Sequence, residues 1–363
     1  MLLACLSGFT HSIIQIQGTV SVNTKPKLVT TLLIAAFSIS ATATATASTS
    51  TSTSILDDAS VAPLKTEFMQ TQKALGFTEK EVQQFLDTAK YDQAVIDAMT
   101  KPWEAKPWHQ YYPIFLTEKR LEAGIAFWEK HKATVSRAAK EFDVDPEIII
   151  AIIGIETFYG GYMGNYPVVD ALYTLGFYYP PRATFFRKEL SNLQTLIKDE
   201  QLDINNLKGS YAGAMGFGQF IPSSYRHYAV DFDHDGRRDL LNNPVDAIGS
   251  VANYFHQHGW QPGAPVVLPL SVDNKLASQL NVWTGEKLTY TAADILTPSV
   301  ALAEAIDIDV SQPALVIKLE QENNTEYWMG LNNFYVITRY NRSPLYAMAV
   351  YQFSQELKSA ASL

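Results

Sequence analysis

Apolar residues recur at helical spacing through the first half of the chain and at strand spacing only near the end. Residues 64–142 read as helices, with Thr78-x-x-Glu81 as a capping box and Phe77 and Val82 placed as its hydrophobic staple. Pro102, Pro107 and Pro113 punctuate the loop before a second helical run, Arg120 to Phe142. Asp145-Pro146 predicts a helix start, a cap followed by proline at the first position. The helix continues through Ile148 to Ile155, apolar on every face, and a helix hydrophobic all round is a buried one. Asp170 is placed to cap a further helix through Ala171-Leu172-Tyr173.

After Gly259 the texture changes. Pro265 to Pro269, Ala314 to Leu319 and Glu326 to Met329 are short β-prone runs, and Asn323-Asn324 predicts a hairpin between the last two. Ser343-Pro344 caps a final helix, Leu345 to Leu357. The expected class is mainly α (α+β). The expected organisation is a helical domain at 64–142, a core at 143–261, a small β-containing segment at 262–337, and a C-terminal helix at 338–363 packing back on the core.

The N-terminus stands outside this pattern. Lys25 and Lys27 precede an apolar run, Leu28 to Ile39, and small-residue A-x-A repeats reach Ala47. Residues 1–47 are expected to be a secretory signal, followed by a Thr/Ser-rich linker at 48–63. The residues ahead of Lys25 have no place in such a signal, which points to a true start further along. The apolar run is too short to span a bilayer, so no transmembrane segment is expected. Leu2-Leu3-Ala4-Cys5 has the look of a lipoprotein cleavage box but lacks a basic and apolar lead-in, and is read as chance.

Cleavage would take the 28 basic side chains to 26 against 37 acidic ones, a net charge of −11, which argues against a nucleic-acid partner. It would also remove the single cysteine, leaving no disulfide and no thiolate metal site.

Glu156 follows the all-apolar run, with Ile153, Ile152 and Ile149 as its neighbours one and two turns back; Gly160-Gly161 is expected to end the helix. A carboxylate in such surroundings loses hydration and holds its proton toward neutral pH, as a general acid must. A glutamate turned to solvent and paired with an arginine fits the same residues, and helix and acid alone leave the two readings even. No second carboxylate shares an apolar setting, although ordinary glycosidases use two. Gly209 to Pro222 is a second constellation, whose glycines allow close backbone approach and whose Ser210 and Gln219 could hydrogen-bond a ligand. Taken by itself it reads more readily as a structural turn.

Gly154-Ile155-Glu156-Thr157 with Tyr159-Gly160, and Gly213-Ala-Met-Gly-Phe-Gly-Gln219-Phe-Ile-Pro-Ser-Ser-Tyr225, resemble the membrane-bound lytic transglycosylase B family, glycoside hydrolase family 103. The likeness continues through Asp246 to Phe255, Thr338-Arg-Tyr340-Asn, and Tyr346 to Val350, covering roughly 64–357. It implies a lysozyme-like core with Glu156 as sole acid and base, and a glycan groove lined by Ser210, Gln219, Tyr254, Tyr340 and Tyr346. Where the family often has two adjacent arginines, this chain reads Pro181-Arg182, so only Arg182 carries over as a substrate contact. The implied substrate is the glycan strand of peptidoglycan. Its own C6 hydroxyl replaces water, giving a 1,6-anhydro sugar, and no second carboxylate is needed. Many members of that family are lipoproteins, whereas the signal read from Lys25 to Ala47 predicts a soluble periplasmic form here; partners in wall synthesis are not legible.

Asp231-Phe-Asp233-His-Asp235-Gly236-Arg237-Arg-Asp239 fits the first nine positions of an EF-hand loop, with the Arg237 carbonyl at the seventh. Asn242 stands where a bidentate glutamate is usual, and the resemblance implies closure on Asp246 instead. Structural calcium is expected; pairing of the aspartates with Arg226, Arg237 and Arg238 is the competing account. His227, His256 and His258 lack a matching ligand set for zinc. Two other functions remain open: a hydrolysing lysozyme on the same fold, and a non-catalytic, calcium-stabilised peptidoglycan-binding protein.

Overall fold

The computed structural model describes residues 56–101, 106–273, 275 and 277–361. The expected signal, Cys5 and the first half of the linker, 48–55, lie outside these residues.

Helix α1 (Asp58–Ala74) begins ahead of the boundary expected at 64, capped by Asp57 and carrying Pro63 inside it. The capping box opens α2 (Glu79–Thr88) as expected: Thr78 accepts from the Glu81 amide, and Glu81 accepts from the Thr78 amide. Helix α3 (Gln93–Thr100) follows, and the proline-rich stretch holds a single turn, α4 (Trp108–Tyr111), with both end residues buried. The run from Arg120 to Phe142 is two helices, α5 (Glu118–Lys130) and α6 (Lys132–Phe142), parted at His131.

Helix α7 (Pro146–Thr157) is the axis of the molecule. Every residue from Glu147 to Thr157 is buried, and α5, α6, α11 and α14 all pack on it. Each of its isoleucines contributes about 2 kcal/mol of burial. Asp145 sits at the cap position but does not cap; its carboxylate accepts from the Trp260 indole and the Gly263 amide, tying the helix start to the chain beyond 257.

Strand β1 (Tyr166–Pro167) leads into α8 (Val168–Tyr178), and Asp170 lies within its first turn rather than capping it. Its carboxylate accepts the Lys90 amide across the domain. Helix α9 (Ala183–Glu200) and strand β2 (Lys208–Gly209) come next, β2 pairing antiparallel with β1. Helices α10 (Pro222–Tyr228) and α11 (Pro244–Gln257) flank the aspartate loop.

The β segment is a five-stranded antiparallel sheet ordered β4-β6-β7-β3-β5, from β3 (Val267–Val272), β4 (Tyr290–Thr291), β5 (Val300–Leu302), β6 (Pro313–Glu320) and β7 (Thr325–Gly330), with one helical turn, α12 (Ala292–Ile295). The expected hairpin joins β6 to β7, pairing Glu320 with Thr325. Strand β6 alternates between two cores. Leu315, Ile317 and Leu319 join the main helical core, while Ala314 and Val316 face a smaller cluster with Leu268, Leu270 and Met329. The sheet is thus fused to the helical body through one face.

Helices α13 (Asn332–Tyr340) and α14 (Pro344–Ala361) close the fold, and α14 lies on α7, α5 and α13. Ser343 accepts the Tyr346 amide at its start, as expected. The mainly α class with a small sheet is therefore the observed one. No described helix is long and apolar enough to cross a membrane.

Candidate active site

Four carboxylates are buried among the described residues: Glu147, Glu156, Glu189 and Asp246. Three are held by fixed donors. Glu147 accepts from the Lys358 ammonium at 2.7 Å, Glu189 from the Ser223 amide at 2.8 Å, and Asp246 from the amides of Phe232 and Asp239. Glu156 differs. It has no cation against it, and its Oε1 accepts one hydrogen bond, 2.6 Å, from the Tyr346 hydroxyl. Burial pushes its carboxyl up to about 7, and the Tyr346 hydrogen bond opposes that rise.

The end of α7 that presents Glu156 is unusual. Gly160-Gly161 does not terminate it; Phe158 (φ 52°) and Tyr159 (φ 59°) do, two successive non-glycine residues in the left-handed region. Such residues cost about 1–2 kcal/mol each and persist where packing demands them. Here Tyr159 turns back under the helix. A Cβ on Gly154 would lie 2.4 Å from the Tyr159 hydroxyl, and one on Gly124 of α5 only 2.3 Å, so two glycines open the socket that the ring fills. Thr157 locks the same end from the other side, donating to the Phe217 carbonyl and accepting the Gly160 amide.

Several expected residues come together here. Tyr346, on α14, touches Glu156 directly. Tyr340 lies close enough that the Glu156 charge opposes its ionisation, and burial raises both phenols well above their ordinary value. Tyr254 packs edge-on to Tyr340 at 4.7 Å, and Tyr340 donates to the Gly218 carbonyl, joining α11, α13 and the glycine-rich loop. That loop is a built turn: the Ser210 hydroxyl accepts the amides of Ala212 and Ala214, leaving its own proton to donate. Gln219 (φ 54°) donates both amide protons, to the carbonyls of Met163 and Gly216, while its buried Oε1 has no partner. Arg182 is placed differently, on the turn Pro180–Arg182, its guanidinium over the rings of Phe185 (4.5 Å) and Phe186 (5.2 Å).

Tyr159, Arg120 and Tyr111 were not singled out by sequence. Arg120, half-buried, donates to the carbonyls of Ile114 and Phe115; burial raises the Tyr159 phenol well above its ordinary value, and the Arg120 charge only partly opposes that rise. Tyr111, buried on α4, faces the Tyr346 phenol. Tyr159-Gly160 was visible only as a motif fragment; nothing local marks the socket.

In the aspartate loop, Asp231, Asp233 and Asp246 bring one oxygen each within 4.8 Å of one another, and Gly236 takes the turn at φ 91°. Asp246, not Asn242, closes the cluster. Burial raises the Asp246 carboxyl and the Asp233 charge adds to the rise, as expected of an anionic cage whose donors suit a hard cation. Asp235 and Asp239 do not converge with them; they accept the amides of Arg237 and of Leu241 and Asn242. Nor do the arginines neutralise the loop, since Arg238 pairs with Glu200 and Arg226 donates to Asn192.

A mostly helical fold with the buried, proton-holding Glu156 under a tyrosine cluster fits an enzyme that protonates a glycosidic oxygen. The family model described as "Transglycosylase SLT domain" matches residues 60–355, and the chain belongs to that family. It is 42% identical over 297 residues to the membrane-bound lytic murein transglycosylase B of Escherichia coli (strain K12), covering 78% of this chain and 80% of that one.

Solved structures match as well, three of them as follows. Soluble lytic transglycosylase SltB1 of Pseudomonas aeruginosa is 44% identical, with 83% of this chain and 100% of that one covered and a TM-score of 0.77. Lytic transglycosylase Slt35 of Escherichia coli, solved in complex with calcium, is 39% identical, with 83% and 94% covered and a TM-score of 0.74. SltB3 of Pseudomonas aeruginosa, in complex with NAG-anhNAM-pentapeptide, is 28% identical, with 82% and 80% covered and a TM-score of 0.71.

Proposed function

We propose that this chain is a lytic transglycosylase that cleaves the β-1,4 bond between N-acetylmuramic acid and N-acetylglucosamine in peptidoglycan, with Glu156 as its only acid and base. The observation that carries the proposal is Glu156 itself, among the described residues the one buried carboxylate without a cation or a backbone donor, held near neutral pH by burial.

Protonated Glu156 gives its proton to the glycosidic oxygen, and the C1–O bond breaks with the electron pair leaving on that oxygen. The cation at C1 is short-lived and is met by the C6 hydroxyl of the same sugar. Glu156, now a carboxylate, takes the hydroxyl proton as the C6–O–C1 bond closes. The acid is regenerated and no water is consumed. An intramolecular attack needs no second carboxylate, because effective concentration replaces the activated water. The Tyr346 hydrogen bond stabilises the carboxylate that stands between the two steps. The free Oε1 of Gln219 suits an N-acetyl N–H donor, and the Ser210 hydroxyl suits an acceptor. The SltB3 structure in complex with NAG-anhNAM-pentapeptide, an anhydro sugar, supports this reading. Arg182 remains a candidate substrate contact.

The carboxylates of Asp231, Asp233 and Asp246 would hold calcium, with Asp235, Asp239 and the Arg237 carbonyl joining when it binds; the calcium complex of Slt35 supports this. The ion's part is to hold the loop. Export through the segment at 1–47 would deliver the chain to the periplasm, where its substrate lies. Glu156→Gln keeps the shape but not the proton, so turnover should fall by at least about 10²–10⁴-fold while glycan binding survives. Near-normal turnover of that variant would remove Glu156 as the acid.

A further inference from the structure

Beside the glycine-rich loop lies a cavity of about 410 Å³ that the mechanism above does not use. Its walls are Met163 and Gly164 after α7, the turn from Glu200 to Lys208, and the aspartate loop from Arg237 to Asn242. It adjoins the glycan site through shared backbone. Gln219 holds the carbonyls of Met163 and Gly216, both part of this lining, and Gly164 lies against the backbone of Gly209 and Ser210.

The lining is polar, with three acids and three bases, yet the charges are not equivalent. Glu200 is paired with Arg238. Asp203 accepts the Asn205 amide and the Asn206 side chain within its own turn. Asp239 accepts the amides of Leu241 and Asn242. Lys208 and Arg237 are exposed and form no ion pair with any described residue. Lys208 and Arg237 therefore leave two solvated positive charges on the cavity beside the glycine-rich loop, groups able to meet an anion.

We infer that this cavity binds a carboxylate of the peptide carried by the glycan strand, with Lys208 and Arg237 as its counter-charges. The inference rests on peptidoglycan being the substrate. A muramyl residue seated near Gln219 projects its peptide away from the sugar, and the peptide ends in free carboxylates. The cavity is open, so the effect is one of solvent-screened charge rather than of a buried pair.

The test uses equilibrium binding to the full chain carrying Glu156→Gln, so that cleavage does not intervene. Three probes are compared: peptide-bearing strands, the same strands with their peptide carboxylates converted to amides, and strands stripped of peptide, which keep only the lactyl carboxylate. Native strands should bind about tenfold more tightly than amidated ones, from two screened charge contacts, and high salt should remove the difference. Lys208→Ala with Arg237→Ala should bring that ratio to about one. Arg237→Ala retains the backbone carbonyl, and either single variant should retain part of the preference. A ratio near one in the parent, or a ratio unchanged in the double variant, overturns the inference. So does an equal loss of affinity for stripped strands, which would assign the charge to the lactyl group. Failure of the wild-type chain to cleave strands is a separate result and counts against the proposed reaction instead.

Discussion

At Glu156 two opposing effects set where the proton resides: burial holds it on, and the Tyr346 hydroxyl favours its release. Burial wins, and the folded-state value of about 7 lies above the ordinary 4.5. The folded chain therefore keeps a proton that the unfolded chain has lost between those values. Stability should fall as pH rises from about 4.5 to 7 by about 3 kcal/mol, and then level off. Glu156→Gln removes the penalty, so thermal melts should show it more stable than the parent at pH 8 and little changed at pH 5. No gain at pH 8 would mean the carboxylate is not desolvated. The rate should report the same proton, kcat/KM declining as pH rises through about 7. In Tyr346→Phe the carboxylate loses its donor, so this alkaline limb should move to higher pH. A limb that stays in place would deny Tyr346 its role.

Helix α7 and its socket carry the next scale. Replacing a helical glycine by alanine ordinarily stabilises by about 1 kcal/mol. At Gly154 the added methyl would meet the Tyr159 ring at 2.4 and 2.6 Å, and overpacking of this kind costs about 1–3 kcal/mol. The clash should win: denaturant melts of Gly154→Ala should show net destabilisation, and kcat should fall because Glu156 lies two residues along. A stabilised, fully active variant would contradict the socket. The socket was not legible in sequence, since it joins Gly124, Gly154 and Tyr159 on different elements. The same limit explains Asp145 and Asp170. Both stand where caps belong, but Trp260, Gly263 and Lys90, all remote in sequence, take their carboxylates. Thr78 and Glu81 were read correctly because both partners of that box are local. The apolar run around Ile149 to Ile153 announced its burial, and with it the setting of Glu156. Tyr340 and Tyr346 came from the family resemblance, since no local pattern places α13 and α14 over α7.

For the whole molecule, calcium in the aspartate loop would link the site to folding. A cation bound only by the folded chain adds stability by mass action, about 2.7 kcal/mol at a hundredfold excess over its Kd. Calcium should raise the melting temperature and a chelator lower it, and Asp231→Asn with Asp233→Asn should abolish the shift; a shift that persists would place the ion elsewhere. The central claim, that one acid and the substrate's own hydroxyl suffice, is tested most directly by the mass of the products. Sacculi digested with the wild-type chain should yield muropeptides ending in 1,6-anhydromuramic acid, lighter by one water, about 18 Da, than a reducing end. Products with reducing ends would show that water attacks, making the enzyme a hydrolase and contradicting the account.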